Sequence, residues 1–132
     1  MKYTPDHITE LKPNEVFVFG SNLAGIHGAG AARFAHKVFG AKFGVGIGMT
    51  GRCYALPTKD ENIWTLPLTE IQGYVMDFLD YAIENPDKIF LVTKIGTGLA
   101  SWEIEDIAPL FKDHPNNVII PKEFHEVIVH VK

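Results

Sequence analysis

Two glycine-rich segments hold the residue types that could bind an anion. The first is Gly20-Ser21-Asn22-Leu23-Ala24-Gly25-Ile26-His27-Gly28-Ala29-Gly30-Ala31-Ala32, and the second is Lys94-Ile95-Gly96-Thr97-Gly98-Leu99-Ala100-Ser101. Each follows a strand-like run and precedes a helical stretch. Small residues let phosphate oxygens approach the backbone, and a helix start adds free N–H groups and a positive dipole end. A tight turn with close helix–strand packing accounts for the same residues, so one loop alone leaves both readings open. Two such loops at the carboxyl ends of neighbouring strands would share one crevice, which suits a diphosphate better than a single phosphate. Gly46-Ile47-Gly48-Met49-Thr50-Gly51 also matches G-x-G-x-x-G. It is rejected as a dinucleotide fingerprint, because strand-like Cys53-Tyr54-Ala55 follows it and no clear strand feeds it. It is expected to be a mobile loop carrying a substrate edge. No GK[ST] ending is present, so there is no Walker A loop.

Four side chains near these loops could do more than pack. Lys59 stands beside Asp60 and Glu61 and is either a solvated loop charge or a reactive amine. His27, inside the first loop, is either a phosphate contact or base, or a loop residue tolerant of unusual backbone angles. Asn22 ends a strand, where Asn commonly satisfies a turn. Trp102 follows the second loop and is read as core before it is read as a stacking platform. His36 is expected at the surface. His114, His125 and His130 lack ligand-like spacing, so no metal site is expected. Cys53 is expected to be a buried small apolar residue.

The elements that must position these groups alternate. Glu15 to Phe19 reads as a buried strand. A helix from Gly28 to a stop at Gly40 would bury Ala31, Phe34, Ala35 and Val38. Cys53 to Thr58 reads as a strand. A helix capped by Thr69 would bury Ile71, Val75, Phe78, Leu79 and Ala82. Lys88 to Thr93 is the clearest strand. Ser101 is the expected cap of a helix over Glu103 to Phe111 that Pro109 weakens or splits. Asn117 to Pro121 and Val127 to Val131 are further strand expectations. This alternation predicts an α/β fold, with helices layered around a mostly parallel sheet.

The chain has 132 residues, enough for one domain with a real core, and neither a linker nor a repeat divides residues 1–132. Its residues are 46% hydrophobic and 21% charged, an ordinary globular balance rather than a disordered one. A formal charge of −4 argues against nucleic acid as a partner. A single cysteine excludes an internal disulfide. No apolar run approaches a membrane span, and the first residues lack the apolar core of a signal peptide, so the expectation is a cytoplasmic protein with no membrane partner. Nine of the twelve glycines fall between Gly20 and Gly51, which makes that stretch the unusual part of the chain.

From about His7 to Phe111 the chain resembles a macrodomain. His7-Ile8-Thr9-Glu10-Leu11 is similar to the family's opening D-I-T-x-L. The strand to Phe19, Asn22, and the loop Gly25-Ile26-His27-Gly28-Ala29-Gly30-Ala31-Ala32 follow in the family's order. Thr50-Gly51 with Tyr54-Ala55-Leu56-Pro57 is similar to its T-G-x-x-Y/A-x-L-P region, and Gly96-Thr97-Gly98-Leu99 to its second phosphate loop. The resemblance implies a three-layer α/β/α sandwich with a mixed sheet and a cleft for ADP-ribose or ADP-ribosylated species, with no cofactor. By motif position, Gly28, Ala29, Gly30 and Ala31 would take one phosphate and Gly96, Thr97, Gly98 and Leu99 the other. Gly25 is counted among the ligand-binding residues of the first loop, and Asn22 would lie near the distal ribose. The family's adenine-reading Asp falls at His7, with Asp6 one residue away to serve instead.

One macrodomain branch removes ADP-ribose from glutamate, and Tyr54-Ala55-Leu56-Pro57-Thr58-Lys59 resembles it. That branch has a Lys able to form an adduct with the distal ribose, which maps to Lys59. An amine can attack the aldehyde of an opened ribose to give a Schiff base. The branch's acid/base Asp maps to Ala100, so half of the pair is missing and turnover would be slow. Three functions are therefore weighed. The first is a binding module for ADP-ribose or a related nucleotide diphosphate. The second is a hydrolase of ADP-ribosyl adducts using Lys59 or His27. The third is an interaction or structural domain whose glycine loops are only turns.

Overall fold

The computed structural model describes residues 2–130. Five strands form one sheet: β1 (Glu15–Asn22), β2 (Gly48–Thr50), β3 (Cys53–Lys59), β4 (Ile89–Val92) and β5 (Val118–Ile119). Their order is β2-β3-β1-β4-β5, parallel throughout except for β2, which runs antiparallel to β3. The helices are α1 (Gly30–Phe39), α2 (Leu68–Glu84), α3 (Ile104–Ile107) and α4 (Lys122–His130), with a 3-10 turn over Ala108–Phe111.

Strand alternation divides the core into two. Val16 and Val18 of β1, with Tyr54 and Leu56 of β3, face Ile71, Val75 and Phe78 of α2, Ile107 of α3 and Phe124 of α4. Phe17, Phe19, Cys53 and Ala55 point the other way, onto Ala32, Ala35 and Phe39 of α1. Helices thus cover both faces of a mixed, mostly parallel sheet: the α/β fold expected from the alternation, arranged as a sandwich. The N-terminal segment is tied down at both ends of its run. Thr4 pairs with Ile120 and Ile119, and Arg52 donates to the carbonyls of Leu11 and Lys12.

Several elements differ from the sequence reading. Helix α1 buries Ala32, Ala35 and Phe39, not Ala31, Phe34 and Val38, which are exposed. Both sets satisfy helical spacing. Alanines at 32 and 35 let the helix axis approach Phe17 and Phe19, where a Phe at 34 would hold it away. Gly40 ends α1 in the left-handed region, as expected. Helix α2 starts at Leu68 behind Pro67, one residue before the expected cap Thr69. Ser101 does not cap α3. It stands at φ 68°, and the cap is Glu103 in a reciprocal pair with Asp106. Pro109 does split that helix, leaving one α turn and the 3-10 turn. Val127 to His130 is helix α4, not a strand, and Val131 lies outside the described residues. Phe124, Val127 and Ile128 pack on the larger core from one helix face, and that spacing outweighs the β-branched composition. The rejected G-x-G-x-x-G run forms edge strand β2 and the turn into β3, and none of its residues lines the cleft described below.

Candidate functional site

The chain leaves β1 toward β3 on one side and leaves β4 toward β5 on the other. Between the carboxyl ends of β1 and β4 the sheet therefore opens a crevice, the usual ligand position in open α/β sheets. Two cavities occupy it, of about 630 and about 450 Å³. They share Gly30, Ala31, Thr93 and Lys94, so they form one groove with two chambers.

Both glycine loops converge on the smaller chamber. Gly28, Ala29, Gly30 and Ala31 line it from the start of α1, and Gly96, Gly98 and Leu99 line it from the loop after β4. Ala29 occupies the cap position of α1 in extended conformation, and no side chain caps the helix. Its first N–H groups are therefore free of a capping side chain, at residues that line the chamber. A Cβ placed on Gly30 would meet only the Leu99 side chain, at 3.8 Å, so the two loops nearly touch across the groove. Gly96 stands at φ 76°, and a Cβ there would lie 2.9 Å from the Ile107 side chain, so this position requires glycine. Thr97 does not line the chamber; its hydroxyl donates to the Lys94 carbonyl at 2.7 Å.

Asn22 lines the same chamber, buried, but its amide already serves the first loop. Nδ2 donates to the Ile26 carbonyl at 2.8 Å, and Oδ1 accepts the Ile26 N–H at 2.9 Å. This two-way link closes residues 22–26 into a rigid turn around Gly25, which adopts φ 71°. The turn directs His27 away from the groove. His27 is 1% exposed, its Nε2 lies 2.8 Å from the Lys42 carbonyl, and its ring meets Phe19 edge-on. It lines neither chamber, so the proposed contact or base role has no geometry behind it. His36, expected at the surface, is half-buried, with Nδ1 2.6 Å from the Ala41 carbonyl.

Lys59 ends β3, partly buried, and lines the smaller chamber beside Asn22. Neither expected neighbour supplies an acid. Ala100 is buried, and Asp60 lines neither chamber, its Oδ1 accepting the N–H groups of Asn62 at 2.8 Å and Trp64 at 3.0 Å. Trp102 packs on the larger core, with its indole N–H donating to the Leu66 carbonyl at 3.1 Å, in line with a core role. Cys53 is fully buried, and desolvation pushes its thiol up to about 12, so it is no nucleophile.

The larger chamber is built from the N-terminal segment. Asp6 and His7, both exposed, line it together with Phe34 and Pro121. Sequence reasoning missed its central charge. Lys94 borders both chambers and bridges Glu123 of α4 at 2.7 Å and Asp6 at 3.7 Å. The hydrogen bond to Glu123 holds the Lys94 ammonium above its ordinary range and the Glu123 carboxylate below its own. The ion pair's contribution is lost as pH falls through the lowered carboxylate pKa, and again as pH rises through the raised ammonium pKa. Between those limits Lys94 is charged and neutralised. Its position at the end of β4 was the available signal, because such positions face the crevice.

Among the described residues no group of three or more His, Cys, Asp or Glu side chains could hold a metal ion. No helix among them is long and apolar enough to cross a membrane. No protein-family model, curated protein or solved structure matches the chain.

Proposed function

We propose that the groove binds ADP-ribose or a closely related nucleotide diphosphate. One observation carries this reading: two strand-to-helix glycine loops face each other across a single chamber at the switch point of the sheet. Opposed sets of backbone N–H groups suit two linked phosphates, and the adjoining chamber has room for a nucleoside. The order of motifs that resembles macrodomains supports the same ligand. Charge is distributed to match. Asp6 is the acid that lines the outer chamber, while Lys59 lines only the inner one and Lys94, paired with Glu123 and Asp6, stands between them. A phosphate is thus favoured in the inner chamber, and an uncharged base in the outer.

Calorimetric titration tests this, with ADP and AMP as controls. Micromolar binding of ADP-ribose, clearly tighter than that of ADP, is the expected result. If no nucleotide binds or shifts the melting temperature, the glycine loops are only turns and the structural-domain reading prevails.

A second reading is favoured by the position of Lys59 in the inner chamber. The chain would then remove ADP-ribose from an adduct by attack of the Lys59 amine on the anomeric carbon of the distal ribose. The C–N bond forms as the C–O bond to the carboxylate breaks, and the carboxylate leaves with the amine's proton. Water then hydrolyses the lysine adduct to ADP-ribose and the free amine. With alanine at position 100 and Asp60 outside both chambers, slow turnover is expected. Lys59→Ala should abolish release of ADP-ribose from an ADP-ribosyl carboxylate ester, followed by chromatography. Undiminished release in that variant would exclude the lysine route.

A further inference from the structure

Three exposed aliphatic side chains ring the inner chamber, each from a different loop. Ile26 comes from the β1–α1 loop, Ile63 from the β3–α2 loop and Leu99 from the loop after β4. They are 50%, 41% and 65% exposed. Single exposed aliphatics are ordinary, but three converging on one chamber that also holds Asn22 and Lys59 are not.

Ile63 adds an independent observation. Its φ is 65°, in the left-handed region that a β-branched residue rarely enters. The turn around it is fixed at four points. Asp60 accepts the Asn62 and Trp64 N–H groups through its carboxylate, donates its own N–H to the Trp64 carbonyl at 2.8 Å, and accepts the Ile63 N–H through its carbonyl at 3.1 Å. Glycine or asparagine would fit this backbone at less cost. Isoleucine is held there against its own preference, and its side chain lines the chamber. Strain of this kind, imposed by the surrounding turn, is typical of functional positions.

The far end of the groove differs: Asp6 and His7 line it beside the rings of Phe17 and Phe34, and no cluster of exposed aliphatic side chains rims it. A ligand spanning the groove would therefore carry a flat ring with polar edges at the outer end, phosphates between the glycine loops and an apolar group at the inner rim. The hydroxyl groups of an unsubstituted sugar are poorly matched to three aliphatic side chains. We infer that the preferred ligand is a conjugate, a nucleoside diphosphate sugar whose distal sugar carries an apolar aryl or alkyl group seated on Ile26, Ile63 and Leu99. This rests on the nucleotide-diphosphate reading above and adds the class of group attached to the ligand.

The test compares ADP-ribose with its phenyl glycoside on the distal ribose, titrated against the full chain. The phenyl conjugate should bind about tenfold tighter, as expected for burying part of one aromatic ring. In Ile63→Asn that ratio should fall below about threefold. Asparagine tolerates the left-handed region, so the variant should melt no lower than the wild-type chain. Ile26→Ser, which keeps the backbone link to Asn22, should reduce the ratio independently. Equal affinity for the two ligands in the wild-type chain, or a ratio unchanged in both variants, would overturn the inference while leaving the nucleotide reading intact. Binding of neither ligand would remove both.

Discussion

Gly30→Glu should weaken ADP-ribose binding by on the order of a hundredfold, the loss expected when like charges are forced together in a binding site. Gly30 opens α1 and borders both chambers. Space for a side chain exists there, since a Cβ would meet only the end of Leu99. The glutamate chain would therefore extend into the groove rather than unfold the loop, and its carboxylate would compete with phosphate for the α1 N–H groups. Gly30 also has φ 58°, so any L-residue there costs about 1 kcal/mol of stability. Gly30→Ala carries the same backbone cost without the charge and separates the two effects. Its loss of affinity should be well under a tenth of that in Gly30→Glu. A folded Gly30→Glu variant with wild-type affinity would sink the assignment of this loop to a phosphate.

On the proposed reading, charge placement is what would let a chain with a net charge of −4 hold a diphosphate. The inner chamber presents Lys59 and backbone N–H groups. Asp6, the acid that lines the groove, and Glu123 beside it are engaged with Lys94. Within a Debye length of about 8 Å such local arrangements matter more than the total. These side chains are largely exposed, so the Lys94 pair contributes little to folding. Its larger consequence is to keep Lys94 from acting as a free cation beside the groove.

The parts of the site fixed by local sequence were legible. A β-branched run ending in Gly-Ser-Asn gave β1, and the run over Lys88 to Thr93 gave β4. The loops after both fall at strand ends, where topology brings them together. Side-chain direction was not legible. His27 looks like a site residue in the linear sequence, but the two hydrogen bonds between Asn22 and Ile26 turn it inward. The buried face of α1 was misread because two residue sets fit one period, and only the bulk of Phe17 and Phe19 beneath decides between them. Lys94 and Ile63 escaped notice for another reason. Their roles depend on Glu123 and on the Asp60 turn, contacts that spacing along the chain does not encode.

The rejected glycine motif has a purpose of its own, and Gly46→Ala should expose it with the largest loss of stability proposed here. The backbone of residues 44–46 lies directly on that of residues 22–25. A Cβ on Gly46 would overlap the Asn22 carbonyl oxygen and press on the Leu23 backbone at 3.1 Å, and a Cβ on Gly25 would overlap Gly44. The Ser21 hydroxyl seals the contact by donating to the Gly46 carbonyl at 2.5 Å. Unlike Gly30, Gly46 lies outside the left-handed region, so the cost is steric alone. The atoms in the way are backbone and cannot rotate aside. Overpacking of this kind costs about 3 kcal/mol, which lowers the melting temperature by about 10 °C in a domain of this size. Gly73→Ala is the contrast. It lies within α2 with nothing near its Cβ, and should stabilise the chain by about 0.5–1 kcal/mol through helix propensity. Because Asn22 must shift to admit a methyl group at residue 46, ADP-ribose affinity should fall in Gly46→Ala along with stability, although residue 46 lines neither chamber. An unchanged melting temperature in Gly46→Ala would mean that residues 44–46 can leave the first loop at no cost. The shape of that loop would then have to be set by the Asn22–Ile26 hydrogen bonds alone.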